Sequence, residues 1–148
     1  NILSKIKIKL PENLILTPHP KEASRLLNVD INPILQNPEF YAKEISKKYN
    51  CVTVLKLHNT VVCSKNFEIY TNSTGNSSLA KAGSGDVLTG MISGLVSQKM
   101  DLYSASKLAV YLHGLCGELA SKDLTEYSVM ADDLINYIPK ALFCDIKE

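Results

Sequence analysis

The sequence predicts an α/β fold in which one parallel β-α-β unit runs into an antiparallel meander, and three observations carry that prediction. Two short apolar runs, Leu14-Ile-Leu16 and Cys51-Val-Thr-Val-Leu55, are separated by helical patterns. A strand, a helical crossover and a second strand are almost always joined in the parallel sense. Directly after Leu55, Thr60-Val-Val-Cys-Ser64 and Phe67-Glu-Ile-Tyr-Thr71 follow with only short turns between them, which leaves room for antiparallel pairing alone. Beyond Asp86 every periodic segment is helical.

Composition sets the outer bounds. At 148 residues one domain is expected, and 45% hydrophobic with 21% charged residues is ordinary globular material. A net charge of +1 gives no bulk electrostatic grip on nucleic acid or on a membrane surface, so neither is expected as a partner. No apolar run approaches the roughly 20 residues needed to cross a bilayer, and no signal-peptide pattern opens the chain. Cys51, Cys63, Cys116 and Cys144 are scattered without a CxxC pair, so no metal-ligand set is expected. Each lies among apolar residues and reads as a buried free thiol, which suits a reducing, cytoplasmic setting. The chain opens on Asn1 in mid-pattern and is expected to be a piece of a longer polypeptide.

Residues 2–10 alternate apolar and basic positions over their second half and read equally as a strand or as the end of an amphipathic helix. Pro11-Glu-Asn13 is a turn, and Leu14-Ile-Leu16 is a strand buried in a parallel sheet. The two prolines of Thr17-Pro-His-Pro-Lys-Glu22 stiffen a loop at that strand's carboxyl end, where ligands bind in open α/β sheets. His19 within it is either a ligand contact or a capping group. A short helix over 21–28 follows, with Ala23, Leu26 and Leu27 turned inward. Val29 to Pro38 is expected as loop, and Glu39 to Tyr49 as a helix with Asn50 as its C-terminal cap. Lys56 closes the next strand and is either a phosphate contact or a surface lysine.

Asn72-Ser-Thr-Gly-Asn-Ser-Ser78 is a polar loop leading to Lys81-Ala-Gly-Ser-Gly-Asp-Val-Leu-Thr-Gly90. Gly83-Ser84-Gly85 falls where that loop becomes a helix, with apolar positions at Val87, Leu88, Met91, Ile92, Leu95 and Val96. The first N–H groups of a helix have no partner within it and lie at the positive end of its dipole, and glycines let an anion approach them closely. Asp86, in the first turn, places a carboxylate beside that anion site, an arrangement able to activate a hydroxyl near a phosphate. The same four residues also suit a simple capping turn. The helix is expected to run from Asp86 to about Lys99. A second, capped by Asp101, should reach about Ser121, and Met130–Tyr137 and Pro139–Cys144 should be two more. His113 reads as a packing residue, and Gly90, Gly94, Gly114 and Gly117 as small surfaces where helices approach.

Taken together, Thr17-Pro-His-Pro-Lys-Glu22, Lys56-Leu-His-Asn-Thr60, Asn72-Ser-Thr-Gly-Asn76 and Ala82-Gly-Ser-Gly-Asp-Val-Leu-Thr-Gly90 resemble the ordered motifs of the ADP- or ATP-dependent NAD(P)H-hydrate dehydratases of the ribokinase-like superfamily. The resemblance covers roughly residues 14 to 137. Gly-x-Gly-Asp alone places only the superfamily, whereas Thr-Pro-His-Pro-x-Glu is much more specific. The resemblance implies a three-layer α/β/α sandwich, its central sheet mostly parallel with an antiparallel edge, of which this chain, over residues 1–148, is the C-terminal half. It implies a repair reaction in which hydrated NADH or NADPH loses water at the expense of ADP or ATP, through phosphorylation of the added hydroxyl and departure of phosphate. By position, Asp86 matches the acidic residue next to the substrate hydroxyl. Gly83, Ser84 and Gly85 match the anion hole, and Gly85 a nucleotide contact as well. Lys56, Leu57, His58, Asn59 and Thr60 match the segment that binds the nucleotide, Asn76, in the loop leading to the anion hole, is expected to line the nucleotide site, and His19 matches a substrate contact. Mg²⁺ is expected to bridge nucleotide phosphates, and a homo-oligomer is expected.

Three departures stand out. Leu57 and His58 occupy positions where the family usually has Gly and a small residue, and Lys21 replaces a frequent Gly. The preceding half-domain is absent, which would leave a sheet edge open; in bacterial members a fused epimerase domain often precedes that half. Two other readings use the same residues: a ribokinase-like kinase of a thiazole or pyridine alcohol, stopping at the phosphate ester, and a nucleotide-binding module without catalysis.

Overall fold

A computed structural model describes residues 10–144, which divide into two compact units, one ending at Thr71 and the other beginning at Asn72. The reading of residues 2–10 lies, but for Leu10, outside the described residues.

The first unit contains β1 (Ile15–Leu16), α1 (Pro20–Leu27), α2 (Ile31–Gln36), α3 (Pro38–Tyr49), β2 (Val52–Leu55), β3 (Val61–Cys63) and β4 (Ile69–Thr71). The strands lie side by side in sequence order. β1 and β2 are parallel with Ile15 opposite Val52, while β2–β3 and β3–β4 are antiparallel with Val54 opposite Val62 and Val62 opposite Tyr70. The β-α-β unit and the meander therefore stand as expected. Every residue of β2 and β3 is buried, which explains why these runs are continuously apolar or β-branched rather than alternating. Among the described residues β1 pairs with β2 alone, so its outer edge is open. The core is built from Leu16, Ala23, Leu26, Ile34, Ala42, Ile45, Leu55 and Val61. Asn28 and Asn50 end α1 and α3 in the left-handed region, at φ 57° and 48°, a conformation asparagine tolerates better than most residues.

One expectation fails here. Residues 29–38 are not a loop: Ile31–Gln36 forms α2, and Pro38 opens α3. Pro33 is the third residue of α2, where its missing N–H would have had no partner within the helix. Ile34 is fully buried, and such burial contributes about 1.5–3 kcal/mol, enough to hold a six-residue helix that propensity alone would not form.

The second unit contains a single 3-10 turn (Ser77–Leu79), α4 (Ser84–Ser97), α5 (Leu102–Ser128) and α6 (Ala131–Cys144). Leu112, Cys116, Ala120, Val129, Leu134 and Ala141 form its core. Asp123 accepts hydrogen bonds from the Tyr137 hydroxyl at 2.7 Å and the Lys140 ammonium at 3.1 Å, tying α5 to α6. Two lengths differ from expectation. α5 runs past Ser121 as far as a break at Thr125, whose φ of 63° and ψ of 155° are not helical. Met130–Tyr137 and Pro139–Cys144 are one helix containing Pro139; a proline usually ends or kinks a helix, but packing of Leu134 and Ala141 into the same core carries α6 through it. Among the described residues no helix is long and apolar enough to cross a membrane.

Asp101 caps α5 as expected, accepting from the N–H groups of Tyr103 at 3.1 Å and Ser104 at 3.0 Å. These bonds, the one from Ser104 foremost, hold its carboxyl below the usual carboxylate range. A carboxyl with a lowered folded pKa contributes stability that is present above its unfolded pKa and lost as pH falls through the folded value. Asp101→Ala should therefore lower the melting temperature at neutral pH, and the gap to the parent protein should close as the buffer is acidified below the ordinary carboxylate range.

Cys51, Cys63 and Cys116 are buried free thiols, as expected. Burial pushes Cys51 and Cys116 up to about 11 and raises Cys63 as well, which keeps them from acting as nucleophiles.

Candidate functional site

The candidate residues fall in both units. In the first, the parallel pairing of β1 and β2 brings two loops to the same end of the sheet. Thr17-Pro18-His19 leaves β1 and Lys56-Leu57-His58 leaves β2, and the Lys56 N–H donates to the Pro18 carbonyl at 2.9 Å. The His19 and Lys56 segments, singled out separately in the sequence, are thus neighbours.

His19 is the N-cap of α1. Its Nδ1 accepts from the Glu22 N–H at 3.3 Å, while the Glu22 carboxylate accepts from the His19 N–H at 2.9 Å. This is a reciprocal capping box, the alternative that the sequence left open. Because Nδ1 accepts, the ring hydrogen of the neutral form sits on Nε2, 3.5 Å from the Glu22 carboxylate. The ring remains half exposed, so its outer edge is accessible while its inner edge holds the helix start.

The loop after Lys56 closes on Thr60. Its hydroxyl donates to the Leu57 carbonyl at 3.2 Å and receives the Leu57 N–H at 3.4 Å. Leu57 and His58 are not among the residues with positive φ. The turn therefore needs no glycine here, and Leu57 packs its side chain against the core of the first unit. Lys56 is half-buried, and His58 and Asn59 are exposed.

In the second unit the 72–79 loop is pinned to α5. The Thr74 hydroxyl bonds the Tyr111 carbonyl at 2.8 Å, and the Gly75 N–H donates to the Glu118 carboxylate at 2.7 Å. The Asn76 carboxamide oxygen accepts from the Ser78 N–H at 3.1 Å and the Ser78 hydroxyl at 2.6 Å, and its NH₂ reaches Ser121 at 3.2 Å. Asn76 therefore works first as the cap of the 3-10 turn. Two glycines of α5 make room for this loop. A Cβ on Gly114 would lie 2.0 Å from the Thr74 Oγ1, and one on Gly117 2.8 Å from a Leu79 methyl. The small-surface reading of α5 is right, though it is a loop that approaches rather than a helix. Gly90 and Gly94 face nothing within 4 Å among the described residues, so no close helix approach uses them there.

The loop ends at Gly83, the N-cap of α4, with φ 89°. That left-handed conformation is natural only for glycine. α4 begins at Ser84, two residues before the sequence placed it, so Asp86 is its third residue. Unlike α1, α3 and α5, α4 has no side-chain cap. The Ser84 N–H reaches Lys81 O at 3.3 Å and the Asp86 N–H reaches Gly83 O at 3.0 Å, whereas the Gly85 N–H has no acceptor among the described residues. The Gly85 amide is thus the first-turn donor left at the positive end of the dipole. Asp86 is exposed beside it, and it lines an apolar hollow of about 450 Å³ with Val87, Gly90, Met91, Ile135 and Ile138.

The sequence missed two contributors. His113, taken as packing, is buried with Nε2 3.1 Å from the Ser84 hydroxyl and 3.0 Å from the Ser84 carbonyl. The Ser84 side chain consequently points inward. Glu118, not singled out at all, holds Gly75. Helical spacing put both residues on α5 but gave no sign that its face met a loop.

A comparison with known proteins fits this frame. The solved structure of a ribokinase-like superfamily protein from Enterococcus faecalis superposes with a TM-score of 0.80 at 30% identity, over 94% of this chain and 48% of that one. The fold is therefore ribokinase-like α/β, and its described sheet is one parallel pair with the antiparallel edge. Within that class the NAD(P)H-hydrate dehydratase family model matches residues 2–140, and the chain belongs to that family. The ADP-dependent (S)-NAD(P)H-hydrate dehydratase of Bacillus subtilis is 39% identical over 127 residues, 86% of this chain and 46% of that protein. The bifunctional NAD(P)H-hydrate repair enzyme of Moorella thermoacetica is 39% identical over 129 residues, 87% of this chain and 24% of that one. The Bacillus subtilis ADP/ATP-dependent NAD(P)H-hydrate dehydratase co-crystallised with ATP and Mg²⁺ superposes with a TM-score of 0.85 at 38% identity, over 89% of this chain and 48% of that one. The chain thus spans about half of its single-function relatives and about a quarter of the bifunctional one.

Proposed function

We propose that the polypeptide carrying this chain is an ADP- or ATP-dependent NAD(P)H-hydrate dehydratase, and that this chain is the C-terminal portion of its one ribokinase-like domain. The observation that carries the reading is the uncapped start of α4, where Gly83 is left-handed, the Gly85 amide lacks an acceptor among the described residues and Asp86 stands in the first turn. The family membership supports it.

In this reading Asp86 takes the proton of the hydrate's hydroxyl as that oxygen attacks the terminal phosphorus of the nucleotide. The bond to the shortened nucleotide breaks, and the Gly83–Gly85 turn stabilises the charge on the transferred group. Phosphate then leaves with the C–O bonding pair, and loss of a ring proton completes the double bond. Phosphate is a far better leaving group than hydroxide, which is why a phosphoryl-transfer site can run a dehydration. Lys56, Leu57, His58, Asn59 and Thr60 hold the nucleotide, with the lysine as a point charge for phosphate. Asn76 keeps the preceding loop in place, and the accessible edge of His19 contacts the substrate. Mg²⁺ would come with the nucleotide and offset phosphate charge. A hard cation of this kind is held largely by phosphate oxygens and water.

The reading extends to the rest of the protein. A preceding half-domain would pair with the open edge of β1, and a fused epimerase domain, a homo-oligomer and a cytoplasmic location go with it. The test is the near-ultraviolet absorbance of reduced nicotinamide. Hydrated NADH is supplied to the longest polypeptide containing this chain, with Mg²⁺ and either ADP or ATP. Nucleotide-dependent recovery is expected. A stable phosphorylated product without recovery would replace this reading with that of a small-molecule kinase.

A further inference from the structure

We propose that His113 is a positioning residue for the phosphoryl-binding turn: its Nε2–H grips the carbonyl and hydroxyl of Ser84 and so fixes the direction of the Gly85 amide. The inference rests on the function proposed above. A carbonyl oxygen can only accept, so an imidazole nitrogen 3.0 Å from the Ser84 carbonyl must carry the hydrogen. The Ser84 hydroxyl, 3.1 Å from the same nitrogen, then shares that donor. Ser84 is thereby held from both sides, its N–H on Lys81 O at 3.3 Å and its carbonyl and hydroxyl on His113. The next peptide unit begins at that carbonyl and presents the Gly85 N–H. Gly83, on the other side, has no side chain to hold the turn, and at φ 89° it adopts a conformation that only the missing Cβ makes easy. His113 is itself buried and flanked by Gly114, which seats the Thr74 loop. One turn of α5 therefore supports both the loop that leads to the anion site and Ser84 within that site.

The test uses the longest polypeptide containing this chain and the variants His113→Leu, which fills the space without a donor, and His113→Gln, whose terminal NH₂ reaches a similar place. His113→Leu is expected to lower kcat by about 10²-fold, the scale of a small misplacement at a reacting centre, and to raise nucleotide KM by a smaller factor because Gly85 also contacts the nucleotide. His113→Gln should recover most of that loss. Equal losses in both variants, tracking a fall in melting temperature, would make His113 a core residue only and overturn the proposal, as would an unaltered kcat in His113→Leu. The imidazole nitrogen NMR spectrum gives an independent reading. A wild-type protein that binds Mg–ATP but leaves hydrated NADH untouched would overturn the dehydratase reading instead. The brace is then judged by the spectrum: an Nε2–H tautomer whose signal moves on adding Mg–ATP supports it, and an Nδ1–H tautomer overturns it.

Discussion

Asp86→Asn should reduce turnover of hydrated NADH by about 10²–10⁴-fold, the contribution of a positioned general base, while leaving the protein folded. Asn keeps the shape of the side chain but cannot accept the hydroxyl proton. The fold has little stake in the carboxylate, which is exposed and makes no hydrogen bond among the described residues. What the substitution removes structurally is a negative charge in the first turn of α4, worth about 0.3–1 kcal/mol against the helix dipole. Nucleotide affinity should hold or rise slightly, because a negative charge beside the phosphates is gone. Steady-state rates, a circular-dichroism melt and nucleotide titration together check the point. A variant whose rate stays within tenfold of the parent would remove Asp86 from the chemistry and leave the turn as a binding site alone.

How much of this was legible in the sequence depended on whether the signal was local. β2 and β3 declared themselves because each is buried throughout and so is written in β-branched and apolar residues. Asp101 and Asn50 were readable as caps, since a cap is decided by one side chain and its own backbone. α2 was not: Pro33 and Pro38 look like loop punctuation, and only the burial of Ile34 in a tertiary core makes a helix of that stretch. The candidate site divides in the same way. Gly83, Gly85 and Asp86 follow one another in the chain, so their geometry could be anticipated. His113 lies 29 residues from Ser84, and the Glu118 carboxylate 43 residues from the amide it holds. No periodicity reports such pairings. His19 shows the limit of residue type as a guide, because one imidazole can cap a helix with Nδ1 and still offer its other edge to a ligand.

Gly114→Ala should destabilise the protein by about 1–3 kcal/mol, the usual cost of overpacking, although alanine is the better helix former by about 1 kcal/mol. The new Cβ would stand 2.0 Å from the Thr74 Oγ1 and 2.7 Å from the Thr74 carbonyl carbon. The second of these is backbone and cannot swing aside. Relief requires the 72–79 loop to lift from α5, which breaks the Thr74 bond to the Tyr111 carbonyl and strains the Gly75 bond to Glu118. Each such hydrogen bond contributes about 0.5–1.5 kcal/mol, so the propensity gain is outweighed. Gly94→Ala supplies the contrast on α4. Its Cβ meets nothing within 4 Å among the described residues, and the same chemical change should there raise stability by about 0.5–1 kcal/mol. Urea unfolding of the two variants should move the midpoint in opposite directions at constant slope. Because only residues 80–82 separate the lifted loop from Gly83, Gly114→Ala should also weaken nucleotide binding, and Gly94→Ala should not. A Gly114→Ala protein as stable as Gly94→Ala would mean that the loop does not rest on α5 as described, and the support drawn from His113 and Glu118 would fall with it.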